Sequence, residues 1–146
     1  MEMRTIGTAE FAKMLSDQKE ARTKRLAAGI PALERLIEVG LRDTGQSEVC
    51  GRFLLGLYNG PKYLFDLTEL RRLDIELMED CLSVLRMDAN PVKEVHELIT
   101  DGHAIFRRLR MDWATRSEVE QWPDEDRAEW FSLYNRSRPA GREGEE

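Results

Sequence analysis

The stretch Ile75-Glu76-Leu77-Met78-Glu79-Asp80-Cys81-Leu82-Ser83-Val84-Leu85-Arg86-Met87 decides the fold class. Leu77, Met78, Cys81, Leu82 and Leu85 recur at steps of three and four, which gathers them on one face of an α-helix. Glu76, Glu79, Asp80 and Arg86 take the other face, and Asp74 stands where a helix of this kind begins. No other segment is so clearly amphipathic, and the rest of the chain reads outward from it.

Toward the C-terminus, Asn90-Pro91 predicts the start of a short helix with Val92, Val95, Leu98 and Ile99 as its apolar set. Asp101-Gly102 separates it from another that holds Ile105, Phe106, Leu109 and Trp113. Beyond Thr115 the pattern loosens, until Trp122-Pro123-Asp124 opens a last helix bearing Trp130, Phe131 and Tyr134. Toward the N-terminus, Lys62-Tyr63-Leu64-Phe65 is the one extended piece, and Asp66 with Glu69 has the spacing of a reciprocal cap. Val49, Cys50, Phe53, Leu54 and Leu57 predict a helix that stops at Asn59-Gly60-Pro61. Gly45 is expected to end the helix before it, whose face is Leu33, Leu36, Ile37 and Leu41 and whose first turn holds Pro31. Ala28-Gly29-Ile30-Pro31 reads as a break, and Thr8 as the cap of a separate first helix through Phe11, Met14 and Leu15 to Leu26.

The fold expected is all-α, a bundle of five to seven short helices. An N-terminal helical arm (1–30) precedes the helical domain (31–136). The tail 137–146 contains no Leu, Ile, Val or Phe and is expected to be disordered, since it has nothing to offset its ordering entropy. Pro31, Pro61, Pro91 and Pro123 are evenly spaced, but the residues after them do not agree, so they punctuate short helices rather than mark repeats.

At 146 residues, 41% hydrophobic and 34% charged, the chain suits one soluble domain. Its net charge of −6 argues against general binding to a phosphate backbone, which needs an excess of cations. Cys50 and Cys81 lie inside apolar helical patterns without metal or redox spacing and read as reduced core thiols of a cytoplasmic protein. Met1-Glu2-Met3-Arg4-Thr5 has neither the basic nor the apolar region of a signal peptide, and no apolar run is long enough to span a bilayer, so no membrane association is expected.

Catalytic motifs fail on inspection. His96-Glu97-Leu98-Ile99-Thr100 begins like a zinc-protease helix, but Thr100 stands where the second histidine belongs. His103 would lie ~10 Å away along an unbroken helix. A metal-dependent hydrolase built on His96, Glu97, Asp101 and His103 therefore needs the chain to fold back at Gly102. Gly51 and Gly56 have phosphate-loop spacing, yet Leu57-Tyr58 replaces the required Lys-Ser/Thr, and these glycines read as helix-packing positions. No dinucleotide fingerprint and no nucleophile elbow occurs. We therefore expect no catalytic residue, no metal and no cofactor.

Two charged regions and one aromatic cluster remain. Asp66, Glu69, Asp74, Glu76, Glu79, Asp80 and Asp88 are opposed locally only by Arg71, Arg72 and Arg86. They form either a solvated face or an acidic surface that steers a basic partner protein or imitates the phosphates of DNA. Arg107, Arg108, Arg110 and Arg116, interleaved with Phe106 and Trp113, are the alternative site, suited to nucleic acid. Trp122, Trp130, Phe131 and Tyr134 either close the core or carry binding energy at an interface. The expected partner-binding set is thus Glu69, Asp74, Glu76, Glu79 and Asp80 with these four aromatics.

Between about Pro31 and Trp113 the chain resembles an uncharacterised family of small proteins from proteobacterial plasmids, prophages and integrative elements. The resemblance rests on Ala32-Leu33-Glu34-Arg35-Leu36, Phe65-Asp66-Leu67-Thr68-Glu69-Leu70, Asp80-Cys81-Leu82-Ser83-Val84-Leu85-Arg86-Met87-Asp88 and Glu94-Val95-His96. It transfers no activity. What it implies is accessory cargo of mobile DNA, a non-enzymatic module that binds protein, such as an anti-CRISPR-like inhibitor docking on a nucleic-acid-binding defence complex. Homo-oligomerisation is compatible with the sequence.

Overall fold

The computed structural model describes residues 7–137, their side chains as far as Leu133. It is all-α, with no strand among the described residues: α1 (Thr8–Gly40), α2 (Gly45–Tyr58), α3 (Ile75–Asp88), α4 (Gly102–Trp113), α5 (Arg116–Val119) and α6 (Asp124–Ser137). Two 3-10 turns, Leu67–Arg72 and Val95–Glu97, join them. The tail lies outside the described residues from 138 onward.

The expected break at Gly29–Pro31 does not exist, because α1 runs through it for 33 residues. Gly29 is buried with Met87 of α3 directly on it; a Cβ there would meet the Met87 Sδ at 2.6 Å. The glycine serves helix approach, not helix termination. Pro31 removes one hydrogen bond from α1. It does so on an exposed face of the helix. The first helix also begins without the expected Thr8 cap: Gly7 occupies the N-cap and no side chain closes it.

The α1 face made of Ala32, Leu33, Leu36 and Ile37 is buried and carries α2 and α3. Gly29 opposite Met87 and Arg35 opposite Asp80 show that α3 lies antiparallel to it. Gly45 starts α2 rather than ending the preceding helix. Thr44 caps it reciprocally with Ser47, and the preceding helix stops at Gly40 instead. Phe53, Leu54 and Leu55 of α2 fill the centre with Cys50, Cys81 and Val84. Residues 62–65 are irregular, not a strand, and Tyr63 is buried among the core residues.

Two other expectations are corrected. Asp66 caps the 3-10 turn through the Thr68 amide, while Glu69 turns to Arg72 instead of reciprocating. The helix expected after Asn90-Pro91 is reduced to the turn Val95–Glu97, closed by a Glu94/Glu97 capping box, and only Val95 of its apolar set is fully buried. Four apolar residues in ten are too few to hold an amphipathic helix when Val92 points to solvent.

Gly51 does pack a helix closely, as its position suggested. An added Cβ would stand 2.2 Å from Trp113, whose indole N–H donates to the Gly40 carbonyl at 2.7 Å. Gly51→Ala is expected to lower unfolding free energy by about 1–3 kcal/mol, read by urea denaturation, through displacement of that ring. Burial pushes both the Cys50 and Cys81 thiols up to about 12. Neither should react with Ellman's reagent in the folded protein near neutral pH, and both should react once denaturant is added.

Candidate functional site

The acidic stretch separates into groups with different employment. Asp80, expected on the solvated face of α3, is buried and accepts from Arg35 at 2.8 and 3.0 Å. Its stripe is Leu77, Asp80, Cys81, Val84 and Met87, one position round from the Leu77, Met78, Cys81, Leu82, Leu85 stripe expected, and Leu85 is exposed. Apolar residues cover more than half of this helix, so Val84 and Met87, not the helical step itself, fix which face goes inside. The Asp80 hydrogen bond also holds the Arg35 guanidinium above its ordinary value. Asp74 accepts from the Leu77 amide at 2.8 Å as the N-cap of α3. Glu69 pairs with Arg72 at 2.6 Å on the surface.

Glu76 and Glu79 alone of the expected acidic set are exposed and make no ion pair or hydrogen bond among the described residues. Three aliphatic side chains occupy the same stretch, Leu64 76% exposed, Leu67 73% and Ile75 80%. Sequence reasoning passed over these three because each fits a helical or extended pattern. Leu67 opens a 3-10 turn that has no buried residue, Leu64 lies in the irregular segment before it and Ile75 is the first residue of α3.

The arginine patch is occupied from within. Arg107 pairs with Glu129, and Arg110 lies 3.8 Å from Asp126 with its guanidinium 4.7 Å from the centre of the Trp122 ring. Arg108 reaches Asp112 at 3.7 Å, and Arg116 reaches Glu120 at 4.0 Å while facing the Phe131 ring at 5.8 Å. The Arg107 and Arg110 pairs join α4 to α6 and the Arg116–Phe131 contact joins α5 to α6, while Arg108–Asp112 and Arg116–Glu120 are local i,i+4 pairs. Trp122 and Trp130 are 5% and 4% exposed and close the core, Phe131 is half-buried, and the Tyr134 side chain lies outside the described residues. Burial raises the Tyr63 phenol beneath this cluster, against the opposing pull of Arg110.

The histidines do come together, contrary to the separation expected along an unbroken helix. Asp101 takes a left-handed backbone (φ 58°) and Gly102 abuts the His96 carbonyl, which turns the chain back on itself. The His96 and His103 rings are 4.7 Å apart, with Tyr58 edge-on to His96 at 5.2 Å. No third ligand joins them: among the described residues no group of three His, Cys, Asp or Glu side chains is placed to hold a metal. The buried His96 Nδ1 has no hydrogen-bond partner.

One partly buried pair had no sequence signal. Arg52 of α2 holds Glu118 of α5 through two contacts, 2.5 and 3.0 Å, and donates to the Leu64 carbonyl at 2.6 Å. Glu118 also completes the Thr115 cap of α5. A single guanidinium thus ties α2, the 62–65 segment and α5.

A model described as a family of unknown function, DUF7673, matches residues 30–114. The chain belongs to that family. The DUF7673 segment begins one residue before Pro31, inside α1, and ends just after α4, so it holds Arg35, Asp80, Arg52 and both histidines. Glu118, α5, α6 and the first part of α1 fall outside it. No curated protein and no solved structure matches the chain. No helix among the described residues is long and apolar enough to cross a membrane.

Arg52→Met is expected to cost about 1–3 kcal/mol, less than a wholly buried pair because both side chains keep some access to water. Adding Glu118→Gln should recover part of that loss in a double-mutant cycle by urea denaturation.

Proposed function

We propose that the protein is a non-enzymatic, cytoplasmic interaction module carried on mobile genetic elements, and that it docks on a protein partner through the stretch 64–79. The observation that carries this reading is the exposure of Leu64, Leu67 and Ile75 beside Glu76 and Glu79, which have no counter-ion among the described residues. Exposed aliphatic anchors supply binding energy, and carboxylates around them select a basic partner and steer its approach. The partner that fits is a protein with a cationic, groove-like surface, such as a nucleic-acid-binding complex of a host defence system. In that role the carboxylates take the place of nucleic-acid phosphates, as in an anti-CRISPR-like inhibitor.

Employment of the other polar groups supports the same choice. Arg107, Arg108, Arg110 and Arg116 already have carboxylate partners, so a nucleic-acid strand would have to displace them. Asp80 and Asp74 serve the fold, which narrows the acidic docking set to Glu76 and Glu79.

Affinity capture from the native host with tagged protein tests the reading. Wild type should recover one dominant partner, and Leu67→Lys/Ile75→Lys and Glu76→Lys/Glu79→Lys should each lose it while keeping the wild-type melting transition. Recovery of the same partner by both variants would refute the surface.

A further inference from the structure

The fold-back between the Val95–Glu97 turn and α4 brings together two imidazoles that the packing does not otherwise use. Val95 anchors the turn in the core, left-handed Asp101 reverses the chain, and Gly102 lies so close to the His96 carbonyl that a side chain there would collide with it. The His96 and His103 ring centres are thereby set 4.7 Å apart, with the rings tilted at 59° rather than stacked. Two imidazoles that share a metal ion each place a nitrogen ~2.0–2.1 Å from it, which puts their ring centres about 4.5 Å apart for a right angle at the metal and about 5.2 Å apart for a tetrahedral one. The separation in this protein falls inside that interval.

Hydrogen bonding and charge point the same way. His96 Nδ1 is buried without a partner, so whether it carries a proton or a lone pair, that group goes unmet. Neither imidazole makes a hydrogen bond among the described residues. A metal ion is a partner able to meet a lone pair with no donor near it. From 94 to 103 the chain carries Glu94, Glu97 and Asp101 and no Lys or Arg, and none of these carboxylates makes an ion pair among the described residues. Their field favours a cation. Imidazole nitrogen suits Cu2+, Ni2+ and Zn2+, with Cu2+ held tightest, whereas Mg2+ prefers oxygen. We infer that His96 and His103 together form a binding site for a divalent transition-metal ion. The chain supplies two ligands and water takes the other positions, since among the described residues no group of three His, Cys, Asp or Glu side chains is placed to hold the ion. His103 is exposed and gives the ion its way in, and the bound ion clamps the Val95–Glu97 turn to α4. This site does not depend on the docking stretch 64–79.

Isothermal titration calorimetry of the full chain, without a polyhistidine tag and stripped of metal by chelator, tests the inference with the chlorides of Cu2+, Ni2+, Zn2+ and Mg2+. Cys50 and Cys81 are buried and do not compete. Expected is one Cu2+ per chain, weaker binding of Ni2+ and Zn2+, and no binding of Mg2+. Electron paramagnetic resonance of the Cu2+ form should show coupling to two imidazole nitrogens. His103→Gln should weaken Cu2+ binding by more than the roughly tenfold that loss of an outer-shell partner costs. Because His103 is exposed, that variant should keep the wild-type melting transition, and His96→Gln, held to the same check, should act alike. No Cu2+ bound, binding that His103→Gln leaves unchanged, or a Cu2+ spectrum without imidazole nitrogen would each overturn the site.

Discussion

The grip of α1 on α3 sets the layout of the rest of the molecule. Gly29 lets Met87 approach at one end, and the Arg35–Asp80 pair fixes direction and register at the other, with Leu33, Leu36, Val84 and Cys81 closed between them. A carboxylate buried in an otherwise apolar stripe is costly unless it is met by a cation, so only an alignment that brings Arg35 to Asp80 is acceptable. Once α3 is so placed, α2 fills the remaining side of α1 and α4 packs on α2. The pairs Arg52–Glu118 and Arg110–Asp126 then fasten the C-terminal helices to the body.

Most ionic chemistry in this chain is therefore spent on assembly. Asp80 looks in the sequence like a surface carboxylate free to act, and it, Asp74 and Glu118 each have a defined structural partner. The four arginines that suggest nucleic acid are held by carboxylates of α4, α5 and α6. Among the described residues, apolar exposure stands next to unpaired charge in the 64–79 stretch and in the first half of α1. Both are suited to contact with other protein surfaces.

How much of this was legible depended on the range of the interaction. Some local signals read well, though the Thr8 cap, the helix end at Gly45 and the Asp66/Glu69 cap did not. The Asp74 cap, the helix stop at Asn59-Gly60-Pro61, the Asp101-Gly102 separation and the helical class all follow from residues a few positions apart. Glycine and proline misled at Gly29–Pro31, since a residue without a side chain signals a chain break and a helix contact equally well until Met87 is known to be there. The same holds for Asp80, whose place inside is decided by Arg35, 45 residues earlier. The Arg52–Glu118 pair spans 66 residues and leaves no mark in local patterning. The two histidines were judged by helical distance, and the left-handed Asp101 cancels that distance in one turn.

Hydrogen–deuterium exchange of the full chain across Ala27–Leu36 bears most directly on the claim that α1 is one uninterrupted helix whose single face is shared between the body and a projecting arm. If it is, the amides on both sides of Pro31 exchange slowly and open together with those of Val84–Met87, because Gly29 and Met87 form one packing unit. Fast exchange confined to 28–33, with slow exchange on either side, would mean a break at Pro31 and would contradict the continuous helix.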